Sequence, residues 1–295
     1  METVCEGKEW DVALAYANDG EVTGALPYLI GSKFGMRYIV QPQLTQYNGP
    51  WYRYPKGLSV RKQLQFQYSV DEQLMEHINR LNLAFFSQNF SPNAYNWLPF
   101  HWAGYKQTTR YSFRFDPIPN EDGLLELMIQ GGRRKKIKKL MPVLMEDYTV
   151  SPDEFTRFYM GYWNTRGKRC LMKPDFVKVL CDRAISRGNG LIVGLRERDT
   201  EKLAGVKFLV YDSNCAYSLM SAFERKYDVA GISECLVWVS INKLSKLSRV
   251  YDFEGSMDKG IEYFYRSFGA TPIAYHHVWK VNNPLLKPFW ERLGI

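Results

Sequence analysis

The stretch VYDFEGSMDKGIEYFYRSFGA, residues 250–270, decides how this chain is read. It opens as a strand, carries Asp252 and Glu254 at the strand's end, and turns through Gly255-Ser256. The residues from about Asp258 then read as a helix that stops at Gly269, with Phe264-Tyr265 just before the stop. Two residues apart on a strand, the acids share one face. Carboxylates at such a junction serve either proton transfer or local capping and ion pairing, here with Arg225 or Lys226 as partner.

Immediately before this stretch lies AGISECLVWVSINKLSKLS, apolar on most sides and so predicted to be a buried helix covered by sheet. Before it, from Gly190, come an apolar strand, a polar turn at Arg198–Glu201, a strand through Gly205, a turn at Asp212-Ser213-Asn214 and a further strand. The N-terminal segment WDVALAYANDGEVTGALPYLI shows the same order: strand, Asn18-Asp19-Gly20 turn, then a strand through Gly24. A third strand, GMRYIVQPQLT, follows it. Gly24 and Gly205 hold corresponding places, and the spacing predicts two copies of one fold.

Helices fall between these β runs. Ser69 and Glu72 have capping-box spacing ahead of Leu74, Ile78 and Leu81. Ser151, Pro152 and Glu154 mark another helix start, and KPDFVKVLCDRAIS closes at Gly188. NEDGLLELMIQGGRRKKIKKL reads as a helix broken near Gly131-Gly132. With 295 residues the chain suits two domains, divided here as 1–145 and 146–295 without a Gly/Ser- or Pro-rich linker. A hairpin-rich sheet passing into strand–helix–strand is a mixed α/β architecture.

Composition narrows the function classes. Hydrophobic residues at 45% and charged at 24% are the usage of a folded globular chain. No secretory signal and no run of about 18 apolar residues is present, so no membrane segment is expected. The five cysteines form no CxxC pair and the four histidines add no zinc spacing, so no metal is expected. Reduced thiols in a cytoplasmic protein fit this usage. Of the net charge of +8, much sits in RRKKIKK, residues 133–139, either a solvated helix face or a contact for a phosphate-bearing partner.

The order of a long helix after a fourth strand, then a fifth strand, then a short helix ending FYRSFGA is similar to the fold of the GCN5-related N-acetyltransferases. Their tail motif Y-x-x-x-G is matched by Tyr265-Arg266-Ser267-Phe268-Gly269. The tandem arrangement, YDFEGS, the closing FGA and the N-terminal LPYLI…PQLTQYNGP resemble the FemAB-like branch more specifically. That branch consists of double acyltransferase domains and includes the peptidoglycan aminoacyltransferases. The resemblance covers nearly the whole chain. It implies two tandem acyl-CoA N-acyltransferase-like domains, each a mixed, largely antiparallel sheet flanked by helices, with the donor cleft in the second.

The same resemblance implies roles for particular residues. Strands four and five should splay apart around the acyl donor, whose phosphate would meet the helix start at Arg225, Lys226, Val229, Ala230 and Gly231. Of the family's Arg/Gln-x-x-Gly-x-Gly/Ala loop this chain offers Arg225 and one glycine, Gly231, and the FemAB-like branch often lacks the loop as well. Glu254 or Asp252, with Glu224 as rival, would take the proton of an attacking amine, and Tyr265 would protonate the leaving group. Gln46, Tyr47, Asn48 and Trp51, joined by Tyr251, offer polar groups among aromatics for an acceptor pocket between the domains; an Asn-Gly-Pro turn with aromatic packing is the alternative.

Three functions follow from this reading. The first is acyl transfer from an acyl-CoA-type donor to an amine, a cell-envelope precursor among the candidate acceptors, with acyl-CoA as co-substrate and no tightly bound cofactor. The second is an aminoacyl-tRNA-dependent transferase. Tyr265 stands where those enzymes carry the Lys of F-K-x-x-F-G, and residues 151–188 leave room for two ordinary helices in place of a long arm. The third is a non-catalytic ligand-binding protein on the same fold.

Overall fold

In the computed structural model, which describes residues 2–5, 7–128, 132–227 and 230–286, the N-terminal alternation becomes an antiparallel meander. Its strands are β1 (Trp10–Tyr16), β2 (Val22–Lys33) and β3 (Met36–Val40), with the short β4 (Trp51–Tyr52) also paired to β2. Helix α1 (Val60–Arg80) follows and buries Val70, Leu74 and Ile78 in one core with Ala13, Ala15 and Leu26 of the meander. This helix begins well before the expected capping box. Ser59 is its N-cap and Ser69 lies in its interior, because Arg61, Lys62, Gln63 and Gln65 continue the helix along a solvated face.

The chain then runs through β5 (Phe85–Asn89), parallel to β3, the short α2 (Leu98–Trp102) and β6 (Lys106–Phe115). Next come α3 (Glu121–Leu127), α4 (Arg133–Leu140), β7 (Leu144–Asp147), α5 (Pro152–Thr165) and α6 (Pro174–Ser186). The expected break between α3 and α4 is present, although Gly131 lies outside the described residues. Ser151 caps α5, its hydroxyl accepting from the Glu154 amide at 3.1 Å. The second meander comprises β8 (Gly190–Glu197), β9 (Leu203–Tyr211) and β10 (Cys215–Phe223). It is followed by α7 (Ile232–Leu244), β11 (Val250–Asp252), α8 (Lys259–Arg266) and β12 (Thr271–Val281).

Both meanders use glycine to seat their helix. A Cβ on Gly24 would stand 2.2 Å from Val70 of α1, and one on Gly205 would meet Ile232 of α7 at 3.0 Å. The correspondence read from the sequence is thus a packing device, a missing side chain on the second strand under the helix. Most of α7 is buried, as its all-round apolar sequence predicts.

The division into units differs from the single boundary expected at 145/146. One compact unit is Met1–Arg110 with Ala274–Ile295, and the other is Tyr111–Ile273. The reason is an exchange of last strands. β6, which closes the first copy, pairs antiparallel with β11, whereas β12, which closes the second, pairs with β5. Residues 113–144 then join the second core through Phe113, Phe115, Leu124, Ile137, Leu140 and Leu144. The five cysteines are free, and among the described residues no helix is long and apolar enough to cross a membrane.

Candidate active site

The second unit contains an interrupted strand pair. β10 and β11 are parallel neighbours only at Cys215–Val250, Ala216–Tyr251 and Tyr217–Asp252. β11 then ends, while β10 runs on to Phe223 paired with β9 alone. At the parting point the β10–β9 register slips between Ser218 and Met220, so that Leu219 is an extra residue. Such a bulge bends a strand and re-aims its side chains. Two left-handed residues turn the chain out of β11, Glu254 at φ +59° and Gly255 at φ +37°. Only glycine fits at 255, since a Cβ there would lie 2.2 Å from the Tyr111 carbonyl oxygen.

The opening left by this divergence is a cavity of about 520 Å³. Its walls are Ser218 to Ser221 of β10, Ser233, Leu236 and Val237 of α7, and Asp258, Gly260, Ile261, Phe264 and Tyr265 at and along α8, with Lys207 of β9. Asp258 itself caps α8, its carboxylate accepting from the Gly260 and Ile261 amides at 2.8 and 3.0 Å.

The two acids of the opening motif part company. Because the left-handed Glu254 breaks the strand, Asp252 and Glu254 do not share the face that an extended chain would give them. Asp252 is fully buried and closed off: Arg114 donates to it at 2.6 Å, the Ser112 hydroxyl donates to its other oxygen, and the Glu254 amide donates at 2.7 Å. Its partner is therefore Arg114 of β6, not Arg225 or Lys226, and its bond to the Glu254 amide fixes the backbone there. Glu254 is half-buried, and no ion pair to it is found among the described residues. Burial first, and then the charge on Asp252, hold its carboxyl well above the usual range, with Lys207 pulling the other way.

Tyr265 is half-buried against Phe253, ring centroids 4.8 Å apart, and lines the cavity. Burial, followed by the charges of Glu254 and Asp252, pushes its phenol up to about 12, so it keeps its proton at neutral pH. Lys207 was not singled out by its sequence context, a lone cation in GVKFLVY. It is 6% exposed, and burial brings its ammonium down to about 8 against the opposing pull of Glu254. The available signal was a charge at a position whose strand neighbours are all apolar.

The expected donor-binding residues, and Glu224, the rival base, look different in three dimensions. Glu224, Arg225 and Lys226 are exposed at the end of β10, and Lys226 forms an ion pair with Glu197. None of the three lines the cavity. Ala230 is exposed, and Val229 lies outside the described residues. Gly231 is the N-cap of α7 at φ +103°, and a Cβ on it would meet Lys136 at 2.6 Å. Helix α4 thus packs on the start of α7, where Glu234 is buried in the first turn and paired with Arg133 and with Lys136 at 3.1 Å. That carboxylate already compensates the positive end of the helix. Two of the six basic residues of the run, Arg133 and Lys136, therefore belong to an internal ion-pair group, and Arg134, Lys135, Lys138 and Lys139 form its exposed face.

The expected acceptor residues serve packing. In the first unit Gln46 donates to the Tyr275 hydroxyl at 2.9 Å, Tyr47 meets Tyr275 edge-on at 4.9 Å, and the buried Asn48 donates to the Pro27 carbonyl at 2.6 Å. Trp51 is half exposed in β4, under the Arg53 guanidinium. Tyr251 of the second unit is fully buried in the core against Phe253 and does not line the cavity. His276 donates to the Tyr95 carbonyl and His277 bonds to Asn89, which uses both in cross-strand packing.

No family model matches the chain, and no curated protein matches it in sequence. Solved structures do match it over most of their lengths. FemX aligns with a TM-score of 0.70 over 96% of this chain and 90% of its own, at 12% identity. The C-terminal domain of a putative lysylphosphatidylglycerol synthetase from Agrobacterium fabrum gives 0.58 over 94% and 89%, at 11% identity. A tandem GNAT protein from the clavulanic acid biosynthesis pathway gives 0.52 over 92% and 82%, at 12% identity. At such identities the likeness is one of fold. With its twin meanders, its parted strands and the short helix beyond them, this chain has a GCN5-related N-acetyltransferase-like fold of the FemAB type.

Proposed function

We propose that this protein is an N-acyltransferase whose donor lodges in the cavity beside β10 and passes its acyl group to an amine. The observation that carries this reading is the early end of the β10–β11 ladder, which leaves the β10 edge beyond Tyr217 bordering a cavity lined by Tyr265. A free strand edge can take the amide groups of an extended ligand by strand addition. In the reaction the amine nitrogen bonds to the donor carbonyl carbon, and the bond to the leaving sulfur or oxygen breaks. Glu254, in its ionised form, takes the amine's proton, its raised proton affinity making it the stronger base. Tyr265 gives its proton to the leaving group and is restored from Glu254 or solvent. Asp252 holds the Glu254 backbone through its 2.7 Å bond.

An acyl-CoA-type donor is our first reading, supported by Tyr265 in place of the lysine and by the plain pair α5–α6. The neutralised start of α7 favours an aminoacyl-tRNA donor as the second, since it weakens a phosphate seat there, and the exposed cations of α4 suit an RNA backbone. The amine, a cell-envelope precursor among the candidates, is an extension of the fold likeness. Calorimetry with acetyl-CoA and with aminoacyl-tRNA decides between the donors. Heat from one alone selects it, and heat from neither, with no turnover, leaves a binding protein on a transferase fold.

A further inference from the structure

The cavity holds one feature that acyl transfer as described leaves unused. Lys207, in the middle of β9, lines a space otherwise walled by aliphatic side chains, serines, aromatic rings and Asp258. It is more than nine-tenths buried, and no hydrogen bond or ion pair to its ammonium is found among the described residues. A cation taken out of water without a partner is costly and is normally compensated within the structure. Among the described residues none of the acids around it meets the ammonium in an ion pair. Asp252 is paired with Arg114, and Asp258 at the mouth is committed to capping α8. Glu254 attracts Lys207 through space, but no ion pair joins the two among the described residues.

We infer that the missing counter-charge is brought by the substrate, and that the group ending in this cavity carries a carboxylate that pairs with Lys207. A single ammonium balances a single negative charge, which suits a carboxylate better than a phosphate dianion. The hydroxyls of Ser218, Ser221 and Ser233 stand in the same wall and provide further donors. The apolar remainder, Leu236, Val237 and Ile261 among it, fits a short hydrocarbon portion next to the charge. Two sources share this chemistry: an acyl group with its own terminal carboxylate, or an amino acid acceptor with its α-carboxylate. The inference rests on the cavity being the acyl-transfer site, and Lys207 acts in it as a specificity-determining residue.

The test uses the intact chain and its Lys207→Met variant, which removes the charge at similar volume and so folds without a buried cation. Thermal unfolding is recorded with acetate and propionate and with the neutral acetamide and propionamide. Stabilisation by the carboxylates alone, absent in Lys207→Met and kept in Lys207→Arg, is expected. Equal effects of acids and amides, or a carboxylate effect that survives Lys207→Met, overturn the inference. Calorimetry then separates the sources, pairing succinyl-CoA with propionyl-CoA and glycine with glycinamide. One pair should show at least about tenfold preference for the charged member. Equal binding within both pairs overturns the inference and leaves acyl transfer standing. Carboxylate stabilisation without turnover from any donor keeps the anion site and removes the transferase reading.

Discussion

The two copies treat the same gap in opposite ways. In each, a meander leads through a helix to a strand parallel to the meander's third strand, and the parallel ladder is brief: Tyr38–Phe85 and Ile39–Phe86 in the first, three pairs in the second. Beyond Val40 the first copy closes the gap with residues 41–50. Gln41 accepts from the Asn89 amide at 2.9 Å, the Asn48 amide donates to the Asn89 carbonyl at 2.9 Å, and Asn89 donates to the Gln46 carbonyl at 3.1 Å. The second copy prolongs β10 past the ladder and leaves a cavity. Filling satisfies the backbone of a buried strand, whereas an open gap leaves donors and acceptors for a ligand. One topology is filled in the first copy and left open in the second.

The largest expected effect concerns the lock beside the open gap. Arg114→Leu leaves Asp252 buried without its cation and should cost about 3–5 kcal/mol in urea unfolding. A loss under about 1 kcal/mol would mean that the acid needs no partner. The glycines under the helices come next. Gly24→Ala should cost about 1–3 kcal/mol, more than Gly205→Ala, because the nearest helix atom is 2.2 Å away in one copy and 3.0 Å in the other. The reverse order would break the correspondence of the copies.

Chemistry separates the copies further. Glu254→Gln and Tyr265→Phe should each lower acyl transfer at least about tenfold with little change in unfolding temperature, while Gln46→Ala leaves the rate within about twofold. A smaller expected effect is a pH slope. The Lys207 ammonium is brought from an ordinary 10.5 down to about 8 in the folded protein, so the unfolded chain holds this proton more tightly. Its contribution to stability therefore rises as pH climbs from about 8 to 10.5, and Lys207→Met should lose that rise. Parallel stability profiles of the two proteins would show that Lys207 titrates normally.

Much of this architecture is legible in the sequence because its signals are local. Alternation marks the meanders, Asn18-Asp19-Gly20 marks a turn, and Ser151-Pro152 marks the start of α5. The tail Tyr265–Gly269 places the fifth strand and its helix. What is not legible depends on distant partners. Nothing near Asp252 announces Arg114 of β6, and nothing in FFSQN, a strand buried on both faces, alternates. The exchange of β6 and β12 is likewise a matter of pairing between remote segments, so one boundary was expected where the chain crosses twice. The role of Lys207 is hidden in the sequence for a related reason. A single lysine in an apolar strand reads as a solvated edge until the helix covering that face is known.

Hydrogen–deuterium exchange on the intact chain, with acetyl-CoA and separately with aminoacyl-tRNA, tests most directly whether the open gap is the donor seat. The expected result is donor-dependent protection of residues 218–223 and 258–265, with residues 41–50 unchanged. Protection confined to residues 41–50, or donor turnover with no change along β10 and α8, would contradict it.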